Sequence, residues 1–251
     1  YTGFLFKDQR TYRHQKRNGR KSSLDQSVFL TKMLFMKYRL AIFDLDGTIL
    51  NTIDDIADSC NFILKKNNFP VHTVNEIKYF VGNGIPKLIE RALPQNTPPD
   101  TKKEILDQFI EYYGSHSTVK TCAYNGITEL LENLKSNGIR IAVNTNKHEQ
   151  TSIDLCNKFF PGLIDIVCGG RPDVHHKPDP TGVEKILAAE KVEKSKAVFI
   201  GDSDVDIATA KNAGIDSITV DWGFRGKDFL IAHGAKNVAM TPSELLKMIL
   251  G

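Results

Sequence analysis

Asp44 and Asp46 stand two residues apart at the end of an apolar run, in the stretch "LAIFDLDGTIL" (residues 40–50). Bringing carboxylates together at the mouth of a core is costly, because desolvation and mutual repulsion both oppose it. Such a pair waits for positive charge. An aspartate with an ordinary pKa of ~4 is already anionic at neutral pH and needs no base to act as a nucleophile. Its natural target is an electrophile such as phosphorus, which gives an aspartyl-phosphate. An anion must then approach a dianion, and a hard divalent cation resolves that repulsion. Aspartate carboxylates are suitable ligands for Mg²⁺. On this reading Asp44 attacks phosphorus, while Asp46 protonates the leaving oxygen and later deprotonates water.

The remaining groups that this chemistry needs lie far along the chain. "IRIAVNT" ends in Thr145 and is followed by Asn146 and Lys147. Lys177 sits in the loop "GGRPDVHHKPDP", and "KAVFIG" is followed by Asp202, Ser203, Asp204 and Asp206. Asp202 and Asp206 add negative charge to hold the cation. Lys177 offers a point charge to the transferring phosphoryl group, and the Thr145 hydroxyl offers it a hydrogen bond. Singly, each group has a commoner meaning. An Asp-Gly pair after a strand is turn chemistry, Thr145 is a helix cap, a loop lysine is a solvated charge, and Asp204 is a helix-start acid. Together, each follows an apolar strand-like run, and that shared placement makes coincidence remote.

The elements that must position them can be read from hydrophobic periodicity. A strand is expected from Tyr38 to about Leu45, then a helix starting near Asn51 or Thr52. Ile53, Ile56, Ala57, Cys60, Ile63 and Leu64 share one face of that helix. "TVNE" (residues 73–76) has the spacing of a capping box, which predicts another helix start. The break "VGNG" precedes "IPKLIERAL", and "TPPD" opens a helix carrying Ile105, Leu106, Phe109, Ile110 and Tyr113 on its apolar face. From Thr52 to about Lys120 the pattern is helical, with no convincing strand. After that, "IRIAVNT", "LIDIVC", "KAVFIG", "DSITV" and "NVAM" alternate with helical stretches. The alternation implies a parallel sheet with right-handed crossovers and helices on both faces. The fold class is therefore α/β, a doubly wound parallel sheet with a small inserted α-helical domain. Ligands of open parallel sheets bind at the carboxyl ends of the strands, where all these polar groups gather.

The bulk composition suits this picture. The chain has 251 residues, 41% of them hydrophobic, enough for one sizeable core and a smaller appended unit. Its formal charge of +3 is uneven: residues 1–35 hold eight Lys/Arg against two Asp/Glu, and the remainder 25 against 28. A mildly acidic body offers no footprint for nucleic acid. The basic opening segment is read as an extension outside the core, with Met36 looking like a natural start. No apolar run approaches the ~20 residues that span a bilayer. The four cysteines (Cys60, Cys122, Cys156, Cys168) are widely spaced without a CxxC pair. This argues against a zinc site or disulfide framework and for a reducing, cytoplasmic compartment.

With these residues in view, the chain resembles the haloacid dehalogenase superfamily of phosphohydrolases. "FDLDGT", "VNTNK", "KPDP" and "GDSDVD" resemble its four motifs in order, over essentially Met36 to the end. "VGNGIPKLIERAL" and "DWGFRG" resemble its phosphoglycolate phosphatase branch; Asn125 departs from the proline common there. The resemblance implies a core of Rossmann type over 36–52 and 120–251 and a helical cap over 53–119. It implies Asp44 as nucleophile, Asp46 as acid and base, and Thr145 and Lys177 as the other catalytic groups. Metal ligation falls to the Asp44 carboxylate, the Asp46 carbonyl and Asp202, with Asp206 nearby or outer-shell. Substrate contacts fall to Gly47, Thr145, Asn146 and Lys177, and to Gly82 and Gly84 from the cap. The implied activity is Mg²⁺-dependent hydrolysis of a small phosphorylated metabolite. A mutase of the β-phosphoglucomutase type, a pyrophosphatase, and a catalytically silent binding protein share the same core. Dehalogenation is disfavoured, because the metal-dependent set including Asp46 is intact.

Overall fold

In a computed structural model of the chain, residues 36–251 are described. The reading of residues 1–35 as a non-core extension lies outside them. Strand β1 (Leu40–Phe43) is short and wholly buried. Its side chains alternate between two hydrophobic clusters, as a strand covered on both faces must do. Ala41 and Phe43 join Leu130, Leu134, Leu155, Leu245 and Ile249 on one face. Leu40 and Ile42 join Val183, Ile186, Ala210 and Ala213 on the other.

The chain then forms a tight turn and β2 (Leu50–Asn51) before entering four helices: α1 (Ile53–Lys66), α2 (Val74–Phe80), α3 (Ile85–Ala92) and α4 (Pro99–His116). It returns through β3 (Cys122–Ala123), which pairs antiparallel with β2, Leu50 opposite Ala123. The helices α5 (Ile127–Ser136), α6 (Glu149–Phe159), α7 (Thr181–Glu190), α8 (Asp204–Ala213), α9 (Lys227–Ala232) and α10 (Pro242–Leu250) alternate with the later strands. Those strands are β4 (Arg140–His148), β5 (Ile166–Gly170), β6 (Ala197–Gly201), β7 (Asp216–Val220) and β8 (Val238–Ala239). The six-stranded sheet has the order β5-β4-β1-β6-β7-β8, and every neighbouring pair is parallel. The chain winds outward from β1 through β4 and β5, then crosses to β6 on the other side. The switch point where ligands bind is thus bracketed by the carboxyl ends of β1, β4 and β6.

The helical insert has its own core. Ile53, Ile56, Ala57, Cys60, Ile63 and Leu64 of α1 are all buried, packed with Ile77, Leu88, Ile89, Ile105 and Phe109. The expected capping box is present: the Thr73 hydroxyl accepts from Glu76 N at 3.2 Å, and Glu76 Oε2 accepts from Thr73 N at 2.8 Å.

Three details depart from expectation. The first strand is shorter than Tyr38–Leu45, because the chain leaves the ladder after Phe43 to turn through Gly47, whose φ is +86°. Ile110, assigned to the apolar face of α4, is 49% exposed, so that face is narrower than its apolar residues suggest. The β2–β3 ribbon at the neck of the insert was not anticipated, because two-residue strands carry no periodicity. The four cysteines are unpaired. No helix among the described residues is long and apolar enough to cross a membrane.

Candidate active site

Asp44 leaves the end of β1 and Asp202 the end of β6, while Asp206 lies in the first turn of α8; all three are buried. Carboxylate oxygens of the three lie within 4.8 Å of one another. One ammonium faces them: Lys177 Nζ is 2.8 Å from Asp44 Oδ1 and 2.7 Å from Asp206 Oδ1. Three anionic groups against one cation leave an excess of negative charge in a place where water cannot screen it. Burial accordingly pushes the Asp44 carboxyl up to about 7, with Lys177 opposing and Asp206 adding to the rise. Asp202 is pushed up to about 8 by burial, then by the charges of Asp206 and Asp44. Burial disfavours the Lys177 charge, but Asp206 and Asp44 outweigh it, and its pKa lies above the ordinary lysine value.

The fine structure of the cluster fits a hard divalent cation. Asp44 Oδ1 is buried and has no hydrogen bond of acceptable angle, its contact with Lys177 being an ion pair. Around Asp202 the backbone has been cleared: a Cβ at Gly47 or at Gly223 would overlap its carboxylate. Only glycine serves at Gly47 twice over, since its positive φ also suits no other residue well. Asp202 is steadied by Phe224 N at 2.6 Å and Thr48 Oγ1 at 3.3 Å. Asp206 is more fully engaged. Its Oδ2 accepts from Ser203 N and Ser203 Oγ at 3.1 and 2.6 Å, in a capping box that starts α8, and its Oδ1 accepts from Lys177. Asp204, one residue into the helix, keeps the helix-start place expected of it.

The second aspartate of the opening motif faces a different partner. Lys147 Nζ lies 3.1 and 3.3 Å from the two Asp46 oxygens and 2.7 Å from Tyr113 Oη of α4. Burial works against the Lys147 charge, but Asp46 and Tyr113 outweigh it and raise its pKa above the ordinary value. Lys147 and Tyr113 carried no site role in the sequence reading. A signal for Lys147 existed: it stands two residues after Thr145 on β4, and alternate strand residues share a face. Tyr113 offered none, being one more apolar position of an amphipathic helix.

Thr145 is buried, and its Oγ1 accepts from Lys147 N at 3.3 Å, leaving its hydroxyl proton free to be donated. Asn146 spends its amide on the protein: Nδ2 donates to Gly82 O at 3.0 Å and Lys177 O at 3.1 Å, and Oδ1 accepts from Lys177 N at 2.7 Å. It therefore ties the lysine loop to the insert. Gly82 and Gly84 have φ of +121° and +83°, and a Cβ at Gly84 would approach His176 Cε1 to 2.9 Å. Arg225, from the "DWGFRG" stretch, donates to the carbonyls of Lys78 and, at 2.8 Å, Val81, which clasps the end of α2. Between insert and sheet edge is a small cavity with about 60 Å³ of open space, floored by the aspartates and lysines and walled by Ile56, Leu88 and Phe109.

Residues 41–220 match the family model of the haloacid dehalogenase-like hydrolases. A phosphoglycolate phosphatase of Aquifex aeolicus is 31% identical over 219 residues, covering 84% of this chain and 96% of that protein. One from Cereibacter sphaeroides is 35% identical over 188 residues, covering 73% and 85%. A solved structure from Lactobacillus delbrueckii subsp. bulgaricus, provisionally named a phosphoglycolate phosphatase, superimposes with a TM-score of 0.84 at 34% identity. It covers 86% of this chain and all of that one. The buried acids at the switch point, the helical insert above them and these likenesses agree, and the chain belongs to the haloacid dehalogenase-like hydrolases, related to the phosphoglycolate phosphatases.

Proposed function

We propose that the protein is a magnesium-dependent phosphatase acting on a small phosphomonoester of the phosphoglycolate kind. One observation carries this reading: three buried carboxylates around a single ammonium at the carboxyl edge of the sheet, beneath a small roofed cavity. The name shared by the relatives supports the substrate class. The Asp44 and Asp202 carboxylates and the Asp46 backbone carbonyl would hold Mg²⁺, which supplies the positive charge that lets an anionic nucleophile meet a phosphate. Asp206, with both oxygens already engaged, serves as the partner that aims Lys177 and acts on the cation from the outer shell.

The Asp44 carboxylate attacks phosphorus as the ester P–O bond breaks, forming an aspartyl-phosphate. Lys177 and the Thr145 hydroxyl hold the phosphoryl oxygens throughout. Asp46, in its protonated form, gives a proton to the departing oxygen. It then takes a proton from the water that attacks the phosphoenzyme, which releases phosphate and restores Asp44. Gly47 leaves the room that Asp202 needs, and Asn146 fixes the Lys177 loop while lining the cavity. Residues 53–119 act as a cap on a core of 36–52 and 120–251. Gly82 and Gly84 bring the cap's backbone against the cavity, so that closure excludes water during phosphoenzyme formation. The unpaired cysteines support a reducing, cytoplasmic setting.

A phosphate-release screen over phosphoglycolate, sugar phosphates, nucleotides and pyrophosphate, with and without Mg²⁺, tests the reading. Magnesium-dependent release with phosphoglycolate among the better substrates is expected, and Asp44→Asn should abolish it in a folded protein. Full activity in chelator, or near-normal turnover of Asp44→Asn, would overturn the mechanism.

A further inference from the structure

Lys147 is a buried cation that lines the cavity paired with Asp46, and the proposed phosphoryl chemistry gives it no contact with the phosphoryl group. Lys177 already serves the phosphoryl end, held by Asp44 and Asp206. Lys147 instead stands against Asp46, the residue that faces the leaving oxygen, and so marks the leaving-group side of the cavity. Its neighbour Tyr113 Oη accepts from Lys147 at 2.7 Å, and its own hydroxyl proton has no acceptor among the described residues. Burial raises the Tyr113 phenol above its ordinary value, so the group stays protonated. An ammonium and a hydroxyl proton are thus presented side by side, one from β4 and one from α4.

The walls around them restrict what can take these donors. Ile56, Leu88 and Phe109 are buried hydrophobic residues of the insert and line the same cavity. A leaving group bearing several hydroxyls would set them against hydrocarbon with no partner, which costs free energy for each one. A leaving group with a single anionic group close to the ester oxygen places that charge on Lys147 and keeps the rest of the molecule short. A carboxylate suits this pair best, since its two oxygens accept from two adjacent donors.

We propose that Lys147 and Tyr113 form the subsite that selects the leaving group, receiving a carboxylate carried on the carbon next to the ester oxygen. This rests on the phosphatase reading above and deepens it. The insert thereby contributes directly to specificity. Tyr113 can complete the subsite only when α4 lies over β4, so recognition of the carboxylate also favours the closed arrangement.

The test compares kcat/KM for 2-phosphoglycolate and for 2-hydroxyethyl phosphate, its uncharged-alcohol analogue, in the full chain with Mg²⁺. The wild type should prefer phosphoglycolate by about 10- to 100-fold, the range for hydrogen bonds to a charged group. Lys147→Met should bring that ratio towards unity, mainly through KM for phosphoglycolate. Lys147→Arg, which keeps the charge, should retain a clear preference for phosphoglycolate. Tyr113→Phe keeps the ring and loses only the hydroxyl, and should lower the ratio about 3- to 10-fold. Should Lys147→Met fail to fold, Tyr113→Phe decides alone. A ratio unchanged in Tyr113→Phe and Lys147→Met, or a wild type that turns over both esters equally, refutes the subsite and leaves the phosphatase reading standing. A wild type that releases phosphate from other phosphomonoesters of the screen but from neither of these refutes the subsite and leaves the phosphatase chemistry standing, whereas release from none of the screened phosphates takes both readings down.

Discussion

Replacing Asp202 by asparagine should stabilise the metal-free protein at alkaline pH, by an amount that grows with pH. In the folded chain Asp202 is pushed up to about 8 by burial and by the charges of Asp206 and Asp44. In the unfolded chain it returns to the ordinary carboxyl range near ~4. Between those limits the native state keeps a proton that the unfolded state has lost. Stability therefore falls as pH rises, by about 1.4 kcal/mol per unit for one proton. From pH 5 to pH 8 the wild type should lose about 4 kcal/mol relative to Asp202→Asn, in which the group cannot ionise. Since domains are stable by only about 5–15 kcal/mol, this is a large fraction of the total. Magnesium should narrow the gap. Binding only to the native acidic cluster, it should restore about 2.7 kcal/mol to the wild type at a hundred times its dissociation constant, and little to the variant. Urea unfolding of both proteins at pH 5, 6.5 and 8, in chelator and in excess Mg²⁺, measures all of this. A stability difference that stays flat across the three pH values would refute the electrostatic argument. Equal stabilisation of both proteins by Mg²⁺ would show that the cation binds elsewhere.

The other expectations are simpler. Asp46→Asn should slow phosphoenzyme formation from an alkyl phosphate by on the order of 10²–10⁴-fold, but far less for nitrophenyl phosphate, whose leaving anion needs little protonation; single-turnover kinetics should then show a nitrophenolate burst, and equal slowing for both esters would remove Asp46 from the acid role. Gly47→Ala should cost on the order of 1–3 kcal/mol and weaken magnesium binding together, because the left-handed backbone and the Asp202 carboxylate both exclude a Cβ; unfolding and metal titration check it, and normal metal affinity would contradict it. Arg225→Met should loosen the end of α2 by removing the donors to Lys78 O and Val81 O, raising KM more than it lowers kcat; hydrogen exchange across residues 74–81 should quicken, and unchanged protection there would count against the clasp.

The reaction class was legible in the sequence because the groups that define it are local to strand ends. "FDLDGT" and "GDSDVD" each follow an apolar run, and a parallel sheet necessarily delivers such ends to one edge. The α1 face and the Thr73–Glu76 capping box were legible for a similar reason, both being set by contacts within four residues. What lay beyond reach were relations between distant segments. The order of strands around β1, with β4 and β6 as its neighbours, cannot be read from periodicity, which reports faces and not sequence of pairing. The ribbon of β2 and β3 has too few residues to show a pattern. Asn146, expected to contact substrate, is also brought by tertiary packing within reach of Gly82 O and the Lys177 backbone, which its amide engages. Gly47, expected to contact substrate, also clears space for Asp202, a residue 155 positions away. Lys147 and Tyr113 meet only where α4 folds over the end of β4, Tyr113 reaching Lys147 and Lys147 reaching Asp46. The sequence by itself determined which chemical groups the sheet edge would hold, since strand geometry alone puts them there. The tertiary structure decided which of them are already paired and which remain open to a ligand, because hydrogen bonding and charge neutralisation depend on neighbours that only folding brings together.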